Sequence, residues 1–343
     1  MDETYIPVTE PVPMSPKERF SRMGVALLLI AAVSLVGQIL TMALMMILVP
    51  DRIRSIFTSE NGLWLLSFLP MYCLAVPVGL LMMRSVPAMP GARNPLGRRG
   101  FWKYLLMCFP VLVGGNLLGS WLAMLLSTGQ AEDPLLEFAT STNPLKILFM
   151  VILAPILEEL VFRKSILDRA AAYGEKTAVL FSALCFGMFH MNLYQFFYAF
   201  GIGVIFGYVY LRTRDLRYSI GMHMIINFLG GVVAPCINNG MQSLDSALPG
   251  DPESFRFSME LYGGELRRAA AWICASGLYS MIYMGMTIAG LVLLIQNWKK
   301  AQFQVGPEEL PRQLRRKVVY GNPGVILFLV ATGIMTVVTL ATV

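Results

Sequence analysis

The chain has 343 residues, of which 56% are hydrophobic and only 14% charged, with a mean hydropathy of +0.62 and a formal net charge of +6. Its apolar residues fall in long blocks instead of a 3.6-residue stripe, which excludes a soluble domain and predicts an all-α, polytopic integral membrane helix bundle. The positive charge does not signal nucleic acid, because Lys and Arg sit in short clusters between the apolar blocks, as they do in loops on the positive side of a membrane.

Residues 1–22 read as a mobile cytoplasmic arm: four prolines and three acids in the first sixteen positions, then the basic cluster Lys17, Arg19 and Arg22. The apolar run that follows is too long for a signal peptide and has no small-residue cleavage site after it, so it is a retained anchor. Candidate spans lie at 24–49, 63–83, 104–127, 145–162, 177–194, 196–211, 218–235, 270–296 and 323–343, giving eight or nine transmembrane helices. The sixth is short and reads as tilted or partly re-entrant. A polar exterior loop is expected at 236–269, after which residues 270–343 hold the last two spans. With the N-terminus inside, 21 of the 27 Lys and Arg fall in inside segments and the C-terminus faces out. An N-in chain with basic loops and no targeting extension reads as a protein of the bacterial plasma membrane.

Cys73, Cys108, Cys185, Cys236 and Cys274 are scattered with no C-x-x-C spacing, so neither a disulfide framework nor a zinc ribbon is expected.

An ionised side chain at the centre of a spanning helix costs about 2.5–3.5 kcal/mol, so polar residues inside the spans need a partner, a cavity or a function. The segment "APILEELVFRK", 154–164, carries two adjacent glutamates. Glu159 and Arg163 are four apart and can pair on one helical face, whereas Glu158 is turned about 100° away and needs a partner from another helix. The chain has only two histidines, His190 and His223, and both fall in predicted spans. Phe186 shares a face with His190, and Asn227 shares one with His223. Glu158, His190, His223 and Asn227 are therefore expected to converge from the fourth, fifth and seventh spans into one polar pocket. That set holds a carboxylate base, an imidazole to hold water and donors for an oxyanion. Glu158, His190 and His223 would also make a zinc set, although the chain has no H-E-x-x-H. One spacing is awkward. With an exit at Arg163 and an entry near Thr177, Glu158 would lie about 7 Å from the boundary and His190 about 20 Å from it, at 1.5 Å per residue. A fifth helix that starts outside the bilayer and enters it later would bring them together.

The three segments resemble, in order and spacing, the signature of the CPBP family, the CAAX-protease and bacteriocin-processing intramembrane endopeptidases also called the Abi family. Its E-E-x-x-x-R is matched by Glu158, Glu159 and Arg163, its F-x-x-x-H by Phe186 and His190, and its H-x-x-x-N by His223 and Asn227. The resemblance covers roughly 104–235, which it marks as a catalytic membrane core behind the N-terminal helices of 23–103. It implies peptide-bond hydrolysis within the membrane, with Glu158 activating water, His190 helping to hold it, and His223 and Asn227 stabilising the oxyanion. Glu159 and Arg163 would hold the fourth helix in place. No cofactor is required by this mechanism, with zinc as the alternative. The implied partners are the lipid bilayer and a membrane-associated peptide or protein, such as a CAAX-type tail or a bacteriocin or leader peptide, processed in maturation or self-immunity.

Two rival readings remain. A thiol protease pairing Cys185 with His190 is disfavoured, because five residues on one helix set them about 140° apart. A non-enzymatic transporter, immunity or scaffold protein would use the same polar pocket without hydrolysis.

Overall fold

The computed structural model describes residues 14–50, 58–89, 91–127, 141, 143–247 and 263–342, and every regular element among them is a helix. Helix α1, Pro16–Leu48, starts where Ser15 Oγ accepts the Glu18 N–H at 3.3 Å and Pro16 supplies a φ already suited to a helix. The expected arm is thereby shortened: Lys17, Arg19 and Arg22 ride on the first turns of α1 instead of preceding it. Residues 1–13 of that arm lie outside the described residues, as do 248–262 of the expected exterior loop.

Helix α2, Glu60–Met83, passes through a π-helical stretch at Pro70–Ala75, and α3 is Gly97–Leu126. Helix α4 covers 147–170, with π-helical stretches on both sides of Ala154–Glu159. Helices α5, Glu175–Phe189, and α6, Leu193–Thr213, form a hairpin. Helix α7, 216–247, contains a π-helical stretch at Leu229–Val233. Helix α8, Gly263–Trp298, leads to a short helix α9, 312–320, and to α10, Pro323–Thr342.

Among the described residues, seven helices are long and apolar enough to cross a membrane: α1, α2, α3, α6, the 216–242 part of α7, α8 and α10. This bears out a polytopic helical membrane protein and revises the spans. The short element is the fifth and not the sixth. The run 177–194 hides a turn at His190–Asn192, where Met191 takes φ 50° and Asn192 Oδ1 accepts the Tyr194 N–H at 2.9 Å. The 15 residues of α5 reach about 22 Å, short of a hydrocarbon core of about 30 Å, while α6 has 21 residues. The expected exterior loop is largely helical in its described part, because α7 continues to Ala247 and α8 begins at Gly263.

The lipid-facing and inward surfaces are distinct. On α8, Ile273, Leu278, Met281, Met284 and Ile288 are each more than half exposed, as a bilayer-solvated helix requires. Inside, α6 lies against α3 and α5. A Cβ on Gly115 would come within 2.5 Å of Tyr198 N, and one on Gly119 within 2.7 Å of Leu193 O, so small residues let these backbones touch.

The basic segments gather at one end of the bundle. Arg169 Nε donates to Met83 O at 2.7 Å, and Arg214 Nη1 to Asp168 Oδ1 at 3.1 Å. The segment before α9 lies along the α4–α5 connection: Glu175 N–H donates to Gln304 O at 3.1 Å and Glu308 N–H to Ala172 O at 2.9 Å. Arg19 reaches Glu308 at 2.9 Å, so α1 is fastened to the same layer.

Candidate active site

Helix α4 carries both glutamates and is irregular where it does so. Ala154 N–H reaches back five residues to Phe149 O, the π-helical spacing. The next bond in that register would run from residue 155 to Met150 O, and Pro155 has no N–H. Asn227 Nδ2 supplies the missing donor, 2.9 Å from Met150 O. One amide hydrogen of Asn227 thus fixes α7 against α4, and the other remains for a second acceptor.

Glu159 is wholly buried. Its Oε2 lies 3.0 Å from Arg163 Nε, also wholly buried, as the i,i+4 spacing predicts. The N–H is not aimed at the oxygen, so the contact is an ion pair without a well-formed hydrogen bond. The guanidinium lies instead against aromatic faces, 4.5 Å from the Phe186 ring centroid and 5.6 Å from that of Phe206. The other oxygen of Glu159 faces His223, with Oε1 3.2 Å from Nδ1. An ionised carboxylate only accepts, so Nδ1 carries a hydrogen and Nε2 faces the opposite way.

His223 Nε2 lies 3.7 Å from Glu158 Oε2, so one imidazole stands between two adjacent carboxylates. Glu158 is 18% exposed, onto a cavity. His190 ends α5, and its Nδ1 donates to Phe186 O at 2.8 Å, so whenever the ring is neutral Nε2 is its acceptor. Phe186 stands edge-on to both imidazoles, at 4.9 Å from His190 and 5.9 Å from His223.

Glu158, His190, His223 and Asn227 all line one cavity of about 710 Å³. Its remaining wall is mostly apolar and aromatic, with Phe68, Tyr72, Phe109, Tyr198 and Tyr283 from α2, α3, α6 and α8, and α1 contributes Ser34 and Gln38. The cavity thus draws on helices outside 104–235. The depth conflict disappears because α4 does not end near Arg163: from Glu158 to Ala170 is about 18 Å and from Gly174 to His190 about 24 Å at 1.5 Å per residue. Helix α4 runs seven residues past Arg163, whereas α5 begins at Glu175, close to the expected entry.

The zinc set fits poorly. Among the described residues no three His, Cys, Asp or Glu side chains are disposed to hold a metal ion, and Glu159, the second carboxylate, is committed to Arg163 and His223. Cys185 is fully buried. Sequence reasoning missed the Glu159–His223 contact, since helical spacing accounts for Glu159 through Arg163 alone. It also missed the π-helical stretches; for those at Ile147–Leu153 and Leu229–Val233 the Ala-Pro pairs at 154–155 and 234–235 are the visible signal.

Comparison with known proteins adds independent support. The family model described as "Type II CAAX prenyl endopeptidase Rce1-like" matches residues 140–229. "Putative membrane peptidase YdiL" of Bacillus subtilis (strain 168) is 31% identical over 186 residues, covering 50% of this chain and 72% of that protein. "Membrane-embedded CAAX protease MroQ" of Staphylococcus aureus (strain USA300) is 37% identical over 93 residues, 24% of this chain and 37% of that protein. No solved structure matches. With one such relative covered over most of its length, and with the three signature segments meeting around one cavity, the chain belongs to the CPBP family of intramembrane proteases.

Proposed function

We propose that this protein hydrolyses a peptide bond of a membrane-associated protein or peptide, using water activated by Glu158 with His190. One observation carries the reading: of the two adjacent glutamates, Glu158 opens on the cavity beside His223 while Glu159 is sealed behind it. A carboxylate meant only for structure would be sealed as Glu159 is.

In this mechanism Glu158 and His190 Nε2 hold the attacking water. Glu158 takes a proton as the water oxygen adds to the scissile carbonyl carbon. The free N–H of Asn227, and His223 when Nε2 is protonated, donate to the developing oxyanion. The proton on Glu158 passes to the amide nitrogen as the C–N bond breaks. Glu159 holds His223 in its orientation, and Arg163 neutralises Glu159. The basic end and the N-terminus are assigned to the cytoplasmic side of a bacterial plasma membrane by their Lys and Arg content.

The test is purified protein in detergent with a quenched peptide library. Cleavage abolished by Glu158→Ala and retained by Cys185→Ala is the expected result. No cleavage by the wild type, with pH-coupled ion flux in its place, would make the protein a transporter.

A further inference from the structure

The α4 irregularity has a counterpart in α7 that ends differently. At Leu229–Val233 the helix is again π-helical, Ala234 N–H reaches back five residues to Leu229 O, and the next residue is again a proline, Pro235. The bond missing here is the one to Gly230 O. Leu229 O meanwhile receives a second donor, the Tyr279 hydroxyl at 3.2 Å. In α4 the equivalent orphan, Met150 O, is filled by Asn227. At Gly230 no side chain of the described residues takes that place: residue 230 is exposed, Gly230 and Gly231 line the cavity, and a Cβ on either would have no heavy atom within 4 Å.

A backbone carbonyl without a donor is costly at membrane depth unless it lines a wet cavity or meets a partner there. Gly230 follows His223 and Asn227 at i+7 and i+3, on the same side of α7. It stands about 10 Å along the axis from His223 at 1.5 Å per residue, the reach of about three residues of extended peptide at 3.3 Å each. Two glycines leave room for another backbone to approach.

We propose that Gly230 O is a main-chain acceptor for the substrate, binding a peptide N–H about three residues from the scissile bond and holding that part of the peptide extended. The proposal rests on the proteolytic reading of the cavity and goes beyond it in naming the substrate's bound form. Gly230 is a positioning residue here, and the occupant is an unfolded stretch of backbone, not an intact helix, because a helix has no N–H to spare away from its first turn.

The test uses the full-length protein in detergent and one quenched peptide that the wild type cleaves. Pro235→Ala restores an N–H and lets the helix satisfy its own carbonyl, so it should raise the melting temperature while raising KM about fivefold at nearly constant kcat. N-methylation of successive peptide nitrogens should raise the wild-type KM about tenfold at one position, and about twofold or less at that position in Pro235→Ala. Gly277→Ala, on α8 with open space around it and outside the cavity, should leave KM unchanged. An unchanged KM in Pro235→Ala, or a methylation profile identical in the two proteins, overturns the proposal while leaving the protease reading intact. Failure of the wild type to cleave any library peptide overturns both.

Discussion

His223 Nδ1 lies 3.2 Å from Glu159 Oε1, a contact that joins residues 64 apart in the chain and turns the other ring nitrogen toward Glu158. Because Glu159 is also the counter-charge of Arg163, the two adjacent glutamates should separate cleanly in stability measurements. Glu159→Gln leaves a buried guanidinium without its ion pair and should cost about 3–5 kcal/mol. Glu158→Gln, at the cavity wall, should cost less than about 1 kcal/mol. Unfolding of the purified variants by SDS titration or heat checks the contrast.

Asn227 gives a second separable effect. Asn227→Ala removes the donor to Met150 O and should destabilise the protein by about 1–3 kcal/mol. Pro155→Ala supplies the same carbonyl with a helical N–H. The double variant should therefore recover about 1 kcal/mol or more relative to the sum of the single changes, measured as a double-mutant cycle. Simple additivity would mean that the Asn227 bond does not compensate for Pro155.

Removing zinc should have little effect. Glu159, the carboxylate next to the set of Glu158, His190 and His223, is committed to Arg163, and no three-ligand group stands among the described residues. Dialysis against a strong chelator is expected to leave peptide cleavage largely intact, with less than one zinc per chain by elemental analysis. One tightly bound zinc whose removal abolishes cleavage would require a different mechanism.

The brace at the basic end should control how firmly α5 holds His190. A Cβ on Gly306 would fall 2.1 Å from Ala172 O, so Gly306→Ala must displace the segment that carries the Gln304 and Glu308 bonds to the α4–α5 connection. The expected cost is about 1–3 kcal/mol, with faster hydrogen exchange at the start of α5.

How far the sequence led can be judged residue by residue. The pairing of Glu159 with Arg163 followed from helical spacing, and the need of Glu158 for a partner beyond its own helix followed from the angle between the two. Two histidines in apolar segments were visible for the same reason: such residues are expensive in lipid. What stayed hidden depended on tertiary contacts. Glu159 had an adequate local partner, so nothing in the chain announced His223 as another. The turn at His190–Asn192 was masked by aromatic and methionine residues on both sides, which made α5 look long enough to span. Apolar lining residues such as Phe68 and Tyr283 carry no signal that separates a cavity wall from a packed core.

Activation of the water by Glu158 underlies the proposed hydrolysis. The most direct measurement compares kcat for one quenched peptide between the wild type and Glu158→Gln, each with its melting temperature recorded in the same detergent. A loss of about 100-fold or more, with the melting temperature nearly unchanged, is expected. Retention of kcat within about tenfold in a folded Glu158→Gln protein would contradict that role for Glu158.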